Sequence, residues 1–252
     1  MNAFNVIIPA RYGSTRLPGK PLIKLGGLTM IERVYRKARE SGAKKVVVAT
    51  DDRKILEEVK GFGGDAMMTS KEHLSGTDRV FEAAESLGLN EKDIIVNVQG
   101  DEPLIPPRLI KQVAGEIDQE NEVVTLCEQI TSVEDFLDKN VVKVVRDQSY
   151  RALYFSRAPI PFAAGTPECQ NIDNLSSEHL RHVGIYGYTF RQLENYVKSK
   201  PCNLELIEKL EQLRMLVYGI KIKVVEGLIG SPRGVDIAED VKRVDGLLSK
   251  EK

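Results

Sequence analysis

The stretch that decides the fold prediction is Ile7-Ile8-Pro9-Ala10-Arg11-Tyr12-Gly13-Ser14-Thr15-Arg16-Leu17-Pro18-Gly19-Lys20-Pro21-Leu22. Its apolar start is typical of a buried β-strand, and the loop that follows holds two glycines, two prolines and three cations. In open α/β sheets, ligands bind at the carboxyl ends of the strands. Arg11, Arg16 and Lys20 are therefore candidates to surround a polyphosphate, which Gly13 and Gly19 would let backbone N–H groups approach. On spacing alone, a solvated basic loop is an equally good interpretation.

This loop matches neither of the common phosphate-binding fingerprints. Gly13 and Gly19 enclose one residue more than G-x-x-x-x-G-K allows, and Pro21 stands where that motif needs a magnesium-binding Ser or Thr. The dinucleotide fingerprint G-x-G-x-x-G is not spelled either. A phosphate that binds to this loop must therefore be held in another way.

The composition limits the classes of protein that this chain can represent. Its 252 residues are 42% hydrophobic and carry a formal net charge of −1, so no bulk attraction to nucleic acid or to an anionic membrane is indicated. The three cysteines are widely spaced and suggest neither a disulfide framework nor a zinc site. We see no signal peptide and no membrane-spanning run. We expect a soluble, cytoplasmic protein with a single domain over residues 1–252.

The first half of the sequence alternates strand and helix signals, which is the pattern of a doubly wound sheet. The second half predicts mostly strands, and therefore a mixed or antiparallel extension. Residues 158–177 suggest a long surface excursion, because proline and glycine interrupt them repeatedly. The main expected strands are Phe4–Ala10, Lys45–Thr50, Ile94–Val98, Val123–Leu126, Val141–Val145, Ala152–Phe155 and Val183–Thr189. Two helices are expected at Met30–Ser41, capped by Thr29, and at Leu204–Tyr218, where Leu206, Leu210, Leu213 and Val217 form an apolar stripe.

An aspartate follows the strand that ends near Val98. Asp101 lies where α/β enzymes commonly place a metal ligand, and magnesium accepts one or two carboxylates together with substrate phosphates and waters. On the residues alone, a turn with a solvated Glu102 is the better interpretation of this stretch. His179 and His182 form H-x-x-H, but no third ligand lies nearby in the sequence, so a zinc site is not indicated.

Seven further blocks follow the opening stretch. They are Val48-Ala49-Thr50-Asp51-Asp52, Ser75-Gly76-Thr77-Asp78-Arg79, Asn97-Val98-Gln99-Gly100-Asp101-Glu102-Pro103, Ala152-Leu153-Tyr154-Phe155-Ser156-Arg157, Arg181-His182-Val183-Gly184-Ile185-Tyr186, Leu210-Glu211-Gln212-Leu213-Arg214 and Gly234-Val235-Asp236. In this order, and across nearly the whole chain, they resemble the sugar-acid cytidylyltransferases. The match is closest to the 3-deoxy-manno-octulosonate cytidylyltransferase family, also called the CMP-Kdo synthetases.

This resemblance implies a fold and a reaction. The fold is a doubly wound, mixed and mainly parallel α/β sheet of the Rossmann-like nucleotidyltransferase kind, with a smaller antiparallel extension for sugar binding and dimerisation. The reaction transfers CMP from CTP to Kdo and releases pyrophosphate, with Mg²⁺ as cofactor, for lipopolysaccharide synthesis. The family is generally homodimeric.

The resemblance also assigns residues. The catalytic residues would be Arg11, Lys20, Asp101 and Asp236, and the metal ligands Asp101 and Asp236. CTP would contact Ala10, Arg11, Gly13, Ser14, Arg16, Lys20, Ser75, Gly76, Arg79, Gln99 and Asp101. Kdo would contact Gln99, Arg157, His182, Tyr186, Glu211 and Gln212. The chain departs from the family after Asp236, where Ile237-Ala238 replaces Thr-Pro and removes a helix-start proline and a possible hydroxyl cap.

Three alternatives stay open at this point. The acceptor sugar could be sialic acid or an 8-amino analogue of Kdo, although Glu102 favours plain Kdo because the amino-sugar variant is associated with a neutral residue there. A glycosyltransferase would also place an aspartate after a central strand, but it would normally show D-x-D, which Asp101-Glu102-Pro103 is not. A catalytically idle nucleotide-binding regulator is disfavoured by the presence of Lys20, Asp101 and Asp236 together.

Overall fold

The computed structural model of the protein describes residues 3–13, 16–73, 75–162 and 175–249. No helix within these ranges is both long and apolar enough to cross a membrane. The strands are β1 Phe4–Ala10, β2 Lys24–Leu25, β3 Leu28–Thr29, β4 Lys45–Thr50, β5 Ala66–Met68, β6 Ile94–Asn97, β7 Val123–Gln129, β8 Lys143–Arg146, β9 Ala152–Ser156, β10 Leu180–Thr189 and β11 Lys223–Glu226. The helices are α1 Met30–Glu40, α2 Arg53–Gly61, α3 Gly76–Ser86, α4 Pro107–Gly115, α5 Val133–Leu137, α6 Phe190–Lys198, α7 Asn203–Glu208, α8 Gln212–Val217 and α9 Ala238–Ser249, with a 3-10 turn at Lys20–Leu22.

The central sheet is mixed and mainly parallel. Its strand order is β11-β7-β10-β6-β1-β4-β5, and β1, β4, β5 and β6 run parallel to one another. β10 runs antiparallel between β6 and β7, and β8 and β9 extend the sheet as an antiparallel pair beside β10. The fold class predicted from the sequence is confirmed.

Helices cover both faces of this sheet. On one face, α1, α2 and α4 bury apolar side chains such as Val34, Ile55 and Leu109 against the strands. On the other face, α3, α6 and α8 bury residues such as Val80 and Leu213. Strands that are covered on both sides read as almost continuous apolar runs, which explains why β1 and β4 are predicted with their observed bounds.

The loops that follow β1 and β6 cross closely at one edge of the sheet. Gly100 lies against the carbonyl of Pro9, and a Cβ atom at Gly100 would approach that oxygen to 2.9 Å. A side chain at this position would therefore force the two loops apart. Glycine permits this approach, and the close crossing brings Ala10 and Asp101 to one cleft.

The helix predicted for Leu204–Tyr218 is wrong as a single element. The chain forms α7 and α8, because Lys209 adopts a left-handed conformation (φ 53°) that ends the first helix. The break rotates the predicted apolar stripe out of register, so that Leu206 and Val217 are exposed whereas Leu210 and Leu213 are buried.

A buried ion pair joins the two short helices across this break. The guanidinium of Arg214 donates to both carboxylate oxygens of Glu205, with Nε 2.7 Å from Oε2, and both side chains are more than 90% buried. A forked pair of this kind fixes direction as well as distance. It therefore holds the start of α8, where Glu211 and Gln212 lie.

Other differences from the sequence predictions are local. Thr29 occupies the N-cap position of α1, but its hydroxyl makes no capping bond, so that predicted cap is wrong. Most of the predicted surface excursion at 158–177 lies outside the described residues, as does Ser14.

Candidate active site

Most of the predicted nucleotide-binding residues line one cleft at the carboxyl ends of β1 and β6. The members from the sequence prediction are Ala10, Arg11, Arg16, Lys20, Ser75, Gly76, Arg79, Gln99, Asp101, Glu211 and Asp236, and Pro9, Pro21, His73 and Gly100 complete the lining. Of the predicted nucleotide residues that the structure describes, Gly13 does not line the cleft. The topology therefore brings together five segments that are far apart in the sequence.

Lys20 lies at the centre of this arrangement. Its ammonium is 2.7 Å from Asp101 Oδ2 and 3.4 Å from Asp236 Oδ1, and it donates to the carbonyl of Val235 at 3.0 Å. Only 13% of the Lys20 side chain is exposed, so the charge is largely removed from water and needs these acceptors. Arg16 forms a second ion pair with Asp236.

We call the loop that follows β1, residues 11–19, the signature loop; a hydrogen bond between backbone groups joins its two ends. Gly19 adopts a left-handed conformation (φ 67°) and donates its N–H to the carbonyl of Tyr12 at 3.1 Å. The left-handed turn favours glycine at this position, and the Gly19 amide itself is used inside the loop. The turn directs Lys20 inward at the start of the 3-10 segment.

The segment that carries Asp236 is attached to the sheet by side-chain contacts at Ser231 and by a backbone hydrogen bond at Val235. Arg181 donates to Glu128 Oε2 at 2.6 Å and to the carbonyl of Ser231 at 2.7 Å, and Glu128 also accepts the N–H of Ser231. Val235 donates its N–H to the carbonyl of Asp101 at 2.8 Å. The two aspartates are therefore fixed relative to one another by backbone as well as by Lys20.

The Asp240 side chain caps the start of α9, where Ile237-Ala238 replaces the Thr-Pro of the resembled family. Its Oδ2 accepts the N–H groups of Asp236 at 3.0 Å and of Ile237 at 3.2 Å, just before α9 begins. A carboxylate near a helix N-terminus is stabilising. Ile237 and Ala238 thus need neither proline nor a hydroxyl for α9 to start here.

A second cleft adjoins the first. Arg16, Asp101 and Asp236 line both clefts, and the second is otherwise formed by the 138–142 turn, the start of β10 and residues 231–237. Glu102 also lines the second cleft. Burial, and then the negative charge of the neighbouring Asp101, raise the pKa of Glu102 to about 8. The expectation that Glu102 is simply solvated is therefore wrong.

The donor set fits a hard divalent cation with oxygen ligands. Asp101 and Asp236 present carboxylates that both reach Lys20 Nζ, and both side chains are partly exposed to the cleft. Within the described ranges, no group of three or more His, Cys, Asp or Glu side chains could hold a metal by itself. Two carboxylates completed by phosphate oxygens and water suit Mg²⁺ rather than a fully protein-bound metal.

Arg79 lines the first cleft, but its guanidinium is committed to the protein. It donates to Asp51 Oδ2 at 2.8 Å, to the hydroxyl of Thr69 and to the carbonyl of Ser70 at 3.3 Å, and the residue is 3% exposed. These bonds join the end of β4 to the loop before α3. Arg79 thus shapes this wall of the cleft.

Glu211 and Thr77 meet inside the first cleft. Thr77 donates its hydroxyl to Glu211 Oε2 at 2.7 Å. Burial raises the pKa of Glu211, and the Thr77 hydrogen bond opposes that rise. The hydroxyl donor also directs the carboxyl group, so that its other oxygen can accept a hydrogen bond from a ligand.

Arg157 is placed differently from the sequence prediction. Its guanidinium donates to the carbonyls of Glu208 at 2.8 Å and of Lys139 at 3.0 Å, and it lines neither cleft. Here its charge therefore joins the end of α7 to the 138–142 turn, and no open fork faces either cleft. Gln212 is buried at the start of α8 and also lines neither cleft.

His182 and Tyr186 form an aromatic group on β10. The rings lie 5.3 Å apart, and the His182 ring also meets Phe155 edge-on at 5.0 Å. Nε2 of His182 lies 3.0 Å from the hydroxyl of Thr125. Burial, with Arg181 as a smaller contribution, lowers the pKa of His182 to about 3. The imidazole is therefore neutral at physiological pH.

The structure accounts for His179, to which the sequence assigned no role. Its Nδ1 accepts the backbone N–H of Ser176 at 2.8 Å, and its ring packs edge-on against Phe136. Sequence reasoning also missed His73, which lines the first cleft and contacts Glu82. The signal for His73 was its position two residues before the Ser75-Gly76-Thr77-Asp78-Arg79 block.

Comparison with known proteins gives a consistent result. A family model described as cytidylyltransferase matches residues 5–222. The chain is 47% identical over 260 residues to the 3-deoxy-manno-octulosonate cytidylyltransferase of Hahella chejuensis, covering 99% of each chain. It is 49% identical over 251 residues to the enzyme of that name from Pseudomonas fluorescens, covering 98% of each.

Solved structures agree with these sequence comparisons. A structure of CMP:2-keto-3-deoxy-manno-octonic acid synthetase complexed with CTP superposes with a TM-score of 0.89 at 40% identity, covering 100% of both chains. A nucleotidyl transferase from Methanothermobacter thermautotroptrophicus, at 15% identity and a TM-score of 0.63, shares the fold.

The low pKa of His182 predicts a specific pH dependence of stability. Between pH 3 and 6.5 the unfolded chain binds a proton at His182 that the native state refuses, so stability falls as the pH falls through this window. From pH 7 to pH 5 this group alone should cost about 2 kcal/mol of unfolding free energy. Urea unfolding should show that loss reduced by about this amount in His182→Gln. Equal losses in both proteins would contradict the assignment.

Proposed function

This chain belongs to the family of 3-deoxy-manno-octulosonate cytidylyltransferases, and we propose that it transfers CMP from CTP to the anomeric hydroxyl of Kdo and releases pyrophosphate. The reaction activates Kdo for lipopolysaccharide synthesis, and we place it in the cytoplasm, where CTP is available. The observation that carries the proposal is the contact of Lys20 with both Asp101 and Asp236 at the edge of the cationic loop.

The proposed reaction requires the protein to align the two substrates and to compensate negative charge. The sugar hydroxyl attacks the α-phosphorus in line, so the rate depends on alignment of the reactants and on compensation of negative charge. Arg11, Arg16 and Lys20 come from one loop and can hold the triphosphate and then the departing pyrophosphate. At its Lys20 end the backbone is held by the hydrogen bonds of Gly19 to Tyr12 and of Lys20 to Leu17, so the lysine is already positioned.

Asp101 and Asp236 would hold Mg²⁺ in the first cleft. When bound, Mg²⁺ neutralises phosphate charge and lowers the pKa of a hydroxyl that it coordinates. In the described structure, Lys20 pairs with both carboxylates, and Arg16 also pairs with Asp236. Lys20 can then turn toward phosphate oxygens when a cation takes over this role, because its ammonium is a compact donor on a flexible stem.

Kdo would bind in the first cleft beside the nucleotide, against Glu211 and Gln99. The Glu211 carboxylate, directed by Thr77, can accept hydrogen bonds from sugar hydroxyls. Gln99 lies beside Gly76 and can reach both substrates. His182 and Tyr186 would supply an enclosed aromatic boundary. Arg157 would have to release the carbonyls of α7 before it could meet the sugar carboxylate.

Pyrophosphate release tests the reaction and the acceptor together. With CTP, Mg²⁺ and Kdo, the protein should release pyrophosphate and form CMP-Kdo. Sialic acid and the 8-amino analogue of Kdo, offered in parallel, should give much lower kcat/KM. Release with only one of these other sugars would retain the nucleotide half of the proposal and overturn the acceptor. CTP binding without release from any sugar would point to a regulator.

Replacement of a proposed metal ligand should abolish most of the activity. Asp101→Asn should lower kcat by about 100-fold or more and shift the magnesium dependence to higher concentration, because one charged ligand is lost. Glu57→Gln removes a carboxylate on α2 outside this cleft and should change neither. Near-wild-type turnover of Asp101→Asn at saturating magnesium would show that the metal assignment is wrong.

We also propose that two copies of the chain form a homodimer through α7, α8 and β9. Large apolar side chains on these three elements, or directly after α8, are exposed; α8 contacts both α7 and β9, and grouped exposed apolar residues are typical of an interface. They are Leu153, Leu206, Ile207, Val217 and Tyr218, of which Ile207 is 76% exposed. A second copy is the occupant that the family resemblance favours.

The proposed dimer can be tested by measuring the mass of the wild type in solution and of a variant with a charge placed in the interface. Sedimentation equilibrium should give twice the chain mass for the wild type, and Ile207→Glu should shift the protein to monomer because a carboxylate would be buried in the apolar contact. Leu228→Glu is the matched control, since Leu228 is also exposed but lies beside Gln112 of α4. A monomeric wild type, or a dimer lost only in Leu228→Glu, would refute this interface.

A further inference from the structure

The first cleft has two chemically different ends. Arg16 and Lys20 pair with Asp101 and Asp236 at one end, and Arg11 also lines the cleft, which suits the triphosphate. Another wall of the cleft consists of His73 and the start of α3, with Ser75 and Gly76. If the triphosphate occupies the cationic end, the nucleotide base lies along this wall. The inference therefore rests on the proposed use of CTP and adds what selects its base.

Few polar groups of this wall are free to contact a base. Arg79 is committed to Asp51, Thr69 and Ser70. The Ser75 hydroxyl caps α3, where it accepts the N–H of Asp78 at 3.0 Å and donates to that side chain at 2.8 Å. Both side chains are thus already used in the local structure. His73 retains a ring nitrogen, Nδ1, for which the described residues provide no hydrogen-bond partner.

Glu82 fixes the proton of the His73 ring. Nε2 of His73 contacts Glu82 Oε2, and the same oxygen accepts the backbone N–H of Ser70 at 2.8 Å. Although burial opposes it, these two hydrogen bonds lower the pKa of Glu82, so the carboxylate is ionised and can only accept. Nε2 must therefore carry a proton, and in the singly protonated ring that this contact selects, Nδ1 is an acceptor.

An acceptor at this position distinguishes the pyrimidine bases. Cytosine carries an amino donor at C4, whereas uracil carries a carbonyl acceptor there. We propose that His73, oriented by Glu82, selects CTP over UTP by accepting a hydrogen bond from the cytosine 4-amino group at Nδ1. A uracil carbonyl would face the same lone pair and leave two acceptors unpaired, which is the kind of mismatch that a built polar site rejects.

The substitution His73→Gln separates this role from a structural one. A glutamine amide can replace Nε2 as donor to Glu82, but it provides no acceptor at the position of Nδ1. Steady-state kcat/KM should be measured with CTP, UTP and N4,N4-dimethyl-CTP, using Kdo as the acceptor. We expect the wild type to prefer CTP over both analogues, and the variant to lose about tenfold or more of that preference, mainly through CTP.

The controls make every outcome decisive. Glu85→Gln changes an exposed carboxylate on the same helix and should leave the preference unchanged. An equal loss of kcat/KM for all three nucleotides in His73→Gln, or an unchanged preference, would overturn the assignment. If the wild type releases no pyrophosphate with any acid sugar, the proposed reaction fails. The base assignment is then decided by the dissociation constants of CTP and UTP for the wild type and His73→Gln.

Discussion

The structure of the site depends on a single ammonium group. Lys20 is nearly buried, and burying a charge is costly unless it is paired and hydrogen-bonded. Asp101, Asp236 and the Val235 carbonyl meet this requirement. They belong to two segments, around Asp101 and at 235–236, that are distant in the sequence from the loop that carries Lys20. The need to satisfy one cation thereby fixes the separation of two carboxylates, which is the dimension that matters most to a metal ion and a triphosphate.

The cations around this centre fall into two groups that the sequence does not distinguish. Arg11 and Arg16 stand exposed on the signature loop, where a ligand can reach them. Arg79, Arg157 and Arg181 direct their guanidinium groups to carbonyls and carboxylates of the protein itself. The second group builds the walls of the clefts by joining loops to strands. The exposed arginines thus stand on the loop after β1, and the remaining arginines join the loops and strands around it.

The sequence was sufficient for the parts of the fold that follow from local patterns. β1 and β4 have their predicted bounds, because apolar runs are properties of neighbouring residues. The helix predicted for Leu204–Tyr218 is two helices, since the left-handed turn at Lys209 is not written in apolar periodicity.

The candidate site divides in the same way. The motifs identify which loops form the cleft, but not which partner takes each guanidinium, because that depends on residues such as Asp51 and Glu208, which approach only after folding. His73 escaped notice for a similar reason: its partner Glu82 lies nine positions away on a helix face.

The pairing of Lys20 with Asp236 spans 216 positions of the chain. During synthesis the loop that carries Lys20 emerges long before Asp236. A nascent chain that has made β1, β4 and β6 already holds Lys20 and Asp101, which can pair, but neither Asp236 nor the Val235 carbonyl. The full set of acceptors for this ammonium therefore assembles only after the 235–236 segment has joined the sheet, which makes it a late event in folding.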